Sequence, residues 1–353
     1  MIRKFLLFLC VSACVLATNS CTRHRTLSLL VWEGYADPSV VKGFEEKCAC
    51  KVQASYMGSS DELMAKLRGG SAANYDVISP SSDVAGNIAA DHLAAPLDLR
   101  KFPSYELLSP QLRNLPLVKA NGNIYGLPFM WGPNPLLYDT TALPSAPQSW
   151  AALWDPKLKN KISVWDDLST VYMAAQVLGY DKPDPSALYN LNDQQLANVK
   201  KKLLELKPNI RKMWTQGGEL TNLFEQHEVV AAMGWPLMTN QLREKNFPIG
   251  ETIPAENTTG WIDHLMITSA SRNKELAEQF LAYMIEANTQ KAVADVTGYT
   301  PANAQSARLM TPEQRTTLHL DDVENYQKHI YFWQNVPRRA KYTEIWNEVK
   351  ASQ

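Results

Sequence analysis

Hydrophobic and polar positions change period repeatedly along this chain. "LSLLVW" (27–32) is a short apolar run that predicts a buried strand. "DPSVVKGFEEK" follows with apolar residues at helical spacing, Asp37 placed as N-cap and Pro38 at the first helical position. "KVQASYM" reads as a second strand, and "SSDELMAKLRGG" as a helix with a serine cap and a glycine stop. "YDVISPSS" is a third strand running into a serine turn, and "VAGNIAADHLAAPLD" a helix followed by a short extended piece. Alternating strands and helices predict an open α/β sheet. Such sheets bind ligands at the carboxyl ends of their strands, here in the loops "WEGYAD", "MGSSDE" and "SPSSD".

The pattern then breaks. "IYGLPFMWGPNPLLYDTTALPSAPQSWAALWDP" is dense in Pro, Gly and aromatic residues, as expected where the chain crosses between domains. A second alternating region follows: strands at "KISVWDD", "VVAAMGWP" and "GWIDHLMIT", and helices at "LSTVYMAAQVLGY", "NDQQLANVKKKLLELKPN" and "ELTNLFEQH". One long or two short helices end at Gly298 and Pro301, and the C-terminal part is helical. The predicted fold class is α/β, with two lobes, hinge strands and a ligand cleft between the lobes.

Bulk numbers narrow the function without naming it. The chain has 353 residues, long enough for two domains, and a formal net charge of −1. No basic excess suggests nucleic acid. Ten Trp and fourteen Tyr supply enough flat amphipathic surface to line a cleft. "MIRK" and the apolar run after it form a signal peptide over 1–20. Ending at Cys21, it resembles a bacterial lipoprotein signal, which would leave Cys21 acylated and the protein anchored to a membrane. An ordinary signal cleaved near Ser20 is the alternative. "VSAC", ending at Cys14, matches the lipobox pattern better but leaves a very short apolar region. Removing the leader takes Arg3 and Lys4 and brings the net charge to −3. Cys48 and Cys50, one residue apart, are expected as two small residues at a strand start rather than a disulfide.

Tests for catalysis and cofactors find little. "HEVVA" begins like a zinc-protease motif but has Ala231 in place of the second histidine. "SRNK" fits a Ser-x-x-Lys pattern without companion motifs and reads as a helix cap. There is no glycine-rich phosphate loop and no metal-ligand spacing, so no cofactor or metal is expected. Asp166 and Asp167 with Asp263 would make a two-acid hydrolase. What recurs is an aromatic beside an acid: Trp32 and Glu33 before Tyr35, Trp165 before Asp166 and Asp167, Trp261 flanking Asp263. A ring face attracts an ammonium group and a carboxylate pairs with it, which suits an aliphatic amine.

With these residues in view, the chain resembles the periplasmic spermidine/putrescine-binding proteins, the substrate-binding subunits of polyamine ABC transporters. "VWEGYADPSVVKGFEEK", "YDVISPSS", "YGLPFMWG", "SWAALWDPKLKNKISVWDD", "LKPNIRKMW", "AAMGW", "GWIDHLMI" and "VTGYTPAN" fall in family-like order from Leu27 to about Lys350. The resemblance implies two lobes, here 26–138 with 262–306 and 139–261 with 307–353. It implies a polyamine as ligand, and an inner-membrane ABC permease with its ATPase as partners. It places Trp32, Glu33 and Tyr35 in the first loop, and Ser81 in the turn of the third strand. Asp167 would receive an amine in the second lobe, and Trp235 and Trp261 would lie along the aliphatic chain. Asp263 would bind an ammonium, while Tyr299 and Gln334 line the cleft. Two positions depart from the pattern, Thr170 where the family commonly has Glu and Asp83 where an aromatic is common; "GWPLMTN" also lacks the Asp that putrescine-selective members carry shortly after this Trp, so neither spermidine nor putrescine is preferred. Asp83 either replaces the lost acid as a third partner for the ligand or caps the next helix. A different cationic or zwitterionic solute, such as an opine, amino-acid or sugar-amine conjugate, is the rival ligand class; an arginine pointing into the cleft would favour it, and Arg338 and Arg339 follow Gln334 closely enough to supply one.

Overall fold

The computed structural model describes residues 25–352. The signal segment, Cys14 and Cys21 lie outside the described residues. The strands, in chain order, are β1 (Arg25–Val31), β2 (Cys50–Tyr56), β3 (Val77–Ile78), β4 (Lys119–Ala120), β5 (Asn123–Ile124), β6 (Leu127–Pro133), β7 (Leu136–Asp139), β8 (Ile162–Trp165), β9 (Ile210–Trp214), β10 (Ala231–Met233), β11 (Ile249–Thr252), β12 (Thr258–Ile267), β13 (Thr300–Pro301) and β14 (Ile330–Phe332). They form two large sheets and the small β4–β5 hairpin. The first sheet runs β13-β6-β12-β3-β1-β2, with β14 also paired to β12, and the second runs β11-β7-β10-β8-β9. Each sheet carries helices, which gives two α/β lobes.

Local chemistry starts and stops the helices where the pattern places them. Asp37 accepts from the Ser39 N–H ahead of the helix Pro38–Cys48. Ser59 accepts from the Glu62 N–H to open the helix Ser60–Arg68. Asn192 and Gln195 close a capping box on the helix Asp193–Leu206. The long apolar stretch before Gly298 is two helices, Lys274–Met284 and Ala287–Thr297, and Gly298 ends the second at φ 68°.

In both sheets the strand order creates a crevice at the carboxyl ends of parallel strands. β1 has β2 on one side and β3 on the other, both parallel to it. β8 likewise stands between parallel β9 and β10. At such points the chain leaves in opposite directions and the loops part, which is where open sheets hold ligands. The two crevices face each other across the cleft.

Strand pairing moves the lobe boundaries. β7 pairs only within the second sheet, so the first crossing is at 134–135 instead of after 138. All of β12 lies in the first sheet, which puts the second crossing at 253–257 instead of after 261. β14 is parallel to β12, so 330–332 belong with the first sheet. The chain crosses a third time beyond Phe332, because the C-terminal helix Arg339–Ala351 packs against the helices Leu168–Val177 and Asp193–Leu206 of the second lobe. Composition marks irregular chain, but only pairing assigns it to a sheet.

The expectation for the two cysteines is corrected as well. Cys48 and Cys50 form a disulfide, with Cα atoms 5.2 Å apart. Ala49 caps the first helix in the left-handed region, at φ 49°. That turn folds the chain back between helix and strand and brings the two sulfurs together.

Candidate functional site

Asp263 is the centre of the first-lobe side. β12 pairs with β6 through a bulge: Ile262 faces Trp131 and His264 faces Pro128, leaving two β6 residues opposite Asp263. A bulge interrupts the ladder and re-aims a side chain. Asp263 instead forms an isolated bridge with Ser81, at the carboxyl end of β3. The Ser81 hydroxyl donates to one carboxylate oxygen and the Tyr35 hydroxyl to the other, each at 2.5 Å. Asp263 is only 2% exposed. Burial pushes its carboxyl up to about 7; the Ser81 and Tyr35 hydroxyls oppose the rise, and the Asp83 charge adds to it. The Trp32 indole N–H lowers it slightly, near the carboxylate but outside hydrogen-bonding geometry.

The second lobe contributes indoles. Trp165 and Trp214 end the parallel strands β8 and β9, and Trp235 follows β10 as the cap of the helix Pro236–Glu244. Trp165 and Trp214 stack at 5.3 Å and 6°. Trp235 stands edge-on to both, at 4.8 and 4.9 Å. Trp32 reaches from the first lobe to within 5.8 Å of Trp235, and Trp333 from the third crossing to within 5.8 Å of Trp165. Trp261 packs against Tyr299 at 4.5 Å. Only a narrow cavity of about 10 Å³ remains, walled by these rings, with Ser81 and Asp263 as its polar groups.

Behind the cage lies a second polar cluster. Asp167 caps the helix Leu168–Val177, accepting from the Ser169 N–H at 2.9 Å. Burial pushes its carboxyl up to about 7; the Ser169 N–H opposes this and the Asp83 charge adds to it. Asp83 accepts from the Ser60 hydroxyl at 2.9 Å and from Arg339 Nη1 at 2.7 Å. Arg339 also donates through Nε to Asp61, which the Thr343 hydroxyl joins at 3.0 Å. The Arg339 Nη2, Tyr172 hydroxyl, Ser169 Oγ and Ser82 Oγ are buried and have no hydrogen-bond partner among the described residues. Asp166, by contrast, is occupied by the Trp346 indole at 2.7 Å and Lys350 at 2.8 Å.

The family model for bacterial extracellular solute-binding proteins matches residues 39–321. The chain belongs to this family. It is 27% identical over 335 residues to the spermidine/putrescine-binding periplasmic protein of Salmonella typhimurium, covering 93% of this chain and 92% of that one. It is 27% identical over 309 residues to a putrescine-binding periplasmic protein of Escherichia coli, covering 83% of this chain and 82% of that one. A Listeria monocytogenes protein assigned to spermidine/putrescine ABC transport shares the fold, with a TM-score of 0.83 at 24% identity over 93% of this chain and all of that one.

In this solute-binding protein, Trp32, Ser81, Trp235, Trp261, Asp263 and Tyr299 meet at the cavity. Tyr35 joins them through its hydrogen bond to Asp263. Asp83 and Asp167 sit behind the cage rather than in its wall. Glu33 points elsewhere: its carboxylate lies against Gly217, at the start of the second-lobe helix Gly217–Glu225, where an added Cβ would stand 2.9 Å from Oε2. Gln334 is exposed, and its neighbour Trp333 lines the cavity in its place. Sequence reasoning did not assign Trp165 or Trp333 to the site, and named Arg339 only beside Arg338 as a candidate cleft arginine. Trp165 carried a signal, standing at a strand end before two acids. Arg339 carried a weaker one, its closeness to Gln334 alongside Arg338, and which of the two enters the seam depends on how the last helix docks.

Proposed function

We propose that this chain is the substrate-binding component of a polyamine importer, capturing a linear amine between its lobes for delivery to an inner-membrane permease and its ATPase. The observation that carries this is a pair of buried carboxylates, Asp263 and Asp167, neither of which forms a salt bridge among the described residues. A buried carboxylate without a cation is costly. A ligand ammonium at each relieves that cost, and the indole faces of Trp32, Trp235 and Trp261 cover the methylenes between. Two charge-assisted hydrogen bonds at about 1.5–3 kcal/mol each and four buried methylenes at about 0.8 kcal/mol each support micromolar binding, ~8 kcal/mol. The curated relatives named for spermidine and putrescine agree with this ligand class. They also support a periplasmic location, where a signal peptide and a disulfide are expected.

The rival zwitterionic ligand draws as support only the Arg339 Nη2, unpartnered among the described residues. The guanidinium does enter the cleft seam, but Asp61 and Asp83 both hold it, so the local charge stays negative. The two-acid hydrolase reading loses Asp166 to Trp346 and Lys350, and of its other two acids only Asp263 lines the cavity. Calorimetry with putrescine and spermidine is the direct test. Asp263→Asn is expected to weaken both at least a hundredfold at a melting temperature no lower than the wild type's near neutral pH; unchanged affinity would sink the assignment. If Cys21 is the lipid-bearing residue, Cys21→Ser moves the protein from the detergent phase to the aqueous phase on partitioning.

A further inference from the structure

We propose that Arg339 is a specificity residue: its guanidinium acts as a built-in cation at the acids behind the cage, so the cleft favours an amine with two charges over one with three. This inference rests on amine capture by Asp263 and Asp167 and names the chain class that capture selects.

The argument begins with Asp83. An acid at this position, one residue beyond Ser82 and two beyond Ser81, is well placed to serve a ligand. Its charge raises the pKa of both Asp263 and Asp167. Yet Asp83 is not open. Its Oδ2 accepts from Arg339 Nη1 at 2.7 Å, its Oδ1 accepts from Ser60, and its side chain is 6% exposed. The Nε of the same guanidinium takes Asp61. Arg339 comes from the second lobe, on the helix Arg339–Ala351, whereas Asp61 and Asp83 belong to the first. The pair therefore assembles only when the lobes meet, as a ligand contact would.

The remaining acids fix the count. Four carboxylates, Asp61, Asp83, Asp167 and Asp263, share the seam with one guanidinium. Two of them are bonded to it, and two are left without a salt bridge. Thr170, one turn beyond Asp167, adds no acid and turns its hydroxyl back to the Trp165 carbonyl at 2.6 Å. A diamine supplies one ammonium to each open acid. The third ammonium of a triamine would find its nearest carboxylate already paired, with Arg339 of like charge beside it. Replacing Arg339 by a neutral side chain leaves Asp83 buried and unpaired, which is strongly unfavourable until another cation arrives.

The test is the ratio of spermidine to putrescine dissociation constants, measured by calorimetry on the mature protein and on Arg339→Gln. The wild type is expected to bind putrescine at least tenfold more tightly than spermidine, and Arg339→Gln to shift the ratio at least tenfold toward spermidine. A purely structural role for Arg339 as a bridge between lobes would weaken both amines alike and leave the ratio in place, which overturns the proposal. If Arg339→Gln fails to fold, the wild type still decides: spermidine bound as tightly as putrescine overturns it. A wild type that binds neither amine defeats amine capture itself, whereas amine binding with an unmoved ratio defeats only the role of Arg339.

Discussion

Two uncharged hydroxyls hold Asp263, and one backbone N–H holds Asp167. Neither arrangement compensates burial, so both carboxyls rise from 3.8 to about 7. A raised carboxyl makes the folded state the better proton binder between these values. Its contribution to ligand-free stability is therefore greatest below about 4, declines as pH rises, and levels off above about 7. Asp263→Asn removes the titration, so chemical denaturation across this range should show the variant gaining on the wild type as pH rises. An amine pairs with the ionised forms and must displace protons below about 7. Affinity should rise with pH there, by up to about tenfold per unit for each carboxyl. Calorimetry near pH 6 in buffers of different ionisation enthalpy should detect the released protons. At this scale the sequence was informative where a residue's neighbours are local. The alternation in "GWIDHL" already sets Trp261 and Asp263 on one face, and both reach the cavity. Gln334 and Asp83 were less legible, because exposure and an arginine from more than 250 positions away decide what they do.

Among elements, β12 carries the greatest constraint. Its first residues run between β6 and β14 at the crossing, and Gly260 is the point of closest approach. An added Cβ there would stand 2.3 Å from Ile330 Cγ2 and 2.5 Å from the Gly132 carbonyl oxygen. Neither neighbour yields without moving a paired strand. Gly260→Ala is expected to cost about 1–3 kcal/mol of unfolding free energy in a denaturant titration, and to weaken ligand binding because Asp263 lies three residues on. Most helices were legible from apolar spacing and caps, since those signals act within a few residues. β14 was not: three residues hold no readable period, and only pairing with β12 makes them a strand. The cysteine bridge was missed because it depends on the backbone turn at Ala49.

At the scale of the whole molecule, the lobes meet through a few directed contacts. The Trp165 indole donates to the Gly58 carbonyl at 3.0 Å, Arg339 takes Asp61 and Asp83, and Glu33 rests against Gly217. Trp165→Phe keeps an aromatic ring beside Trp214 but removes the donor. It should lower amine affinity by about 0.5–1.5 kcal/mol, the worth of one hydrogen bond, and a larger radius of gyration in solution scattering would show the looser closure. The two-lobed plan was legible, because alternation of strands and helices occurs twice. The crossings were not, since sheet membership is a long-range property. The tryptophan cluster carries a spectroscopic consequence. Trp165, Trp214 and Trp235 hold fixed mutual angles within one lobe, and Trp32 joins them from the other. Indoles at such separations share electronic excitation, so their far-ultraviolet circular dichroism is a coupled signal that depends on relative orientation. Lobe movement changes the coupling to Trp32 and leaves the other three intact, which makes the protein an unlabelled optical gauge of its own closure.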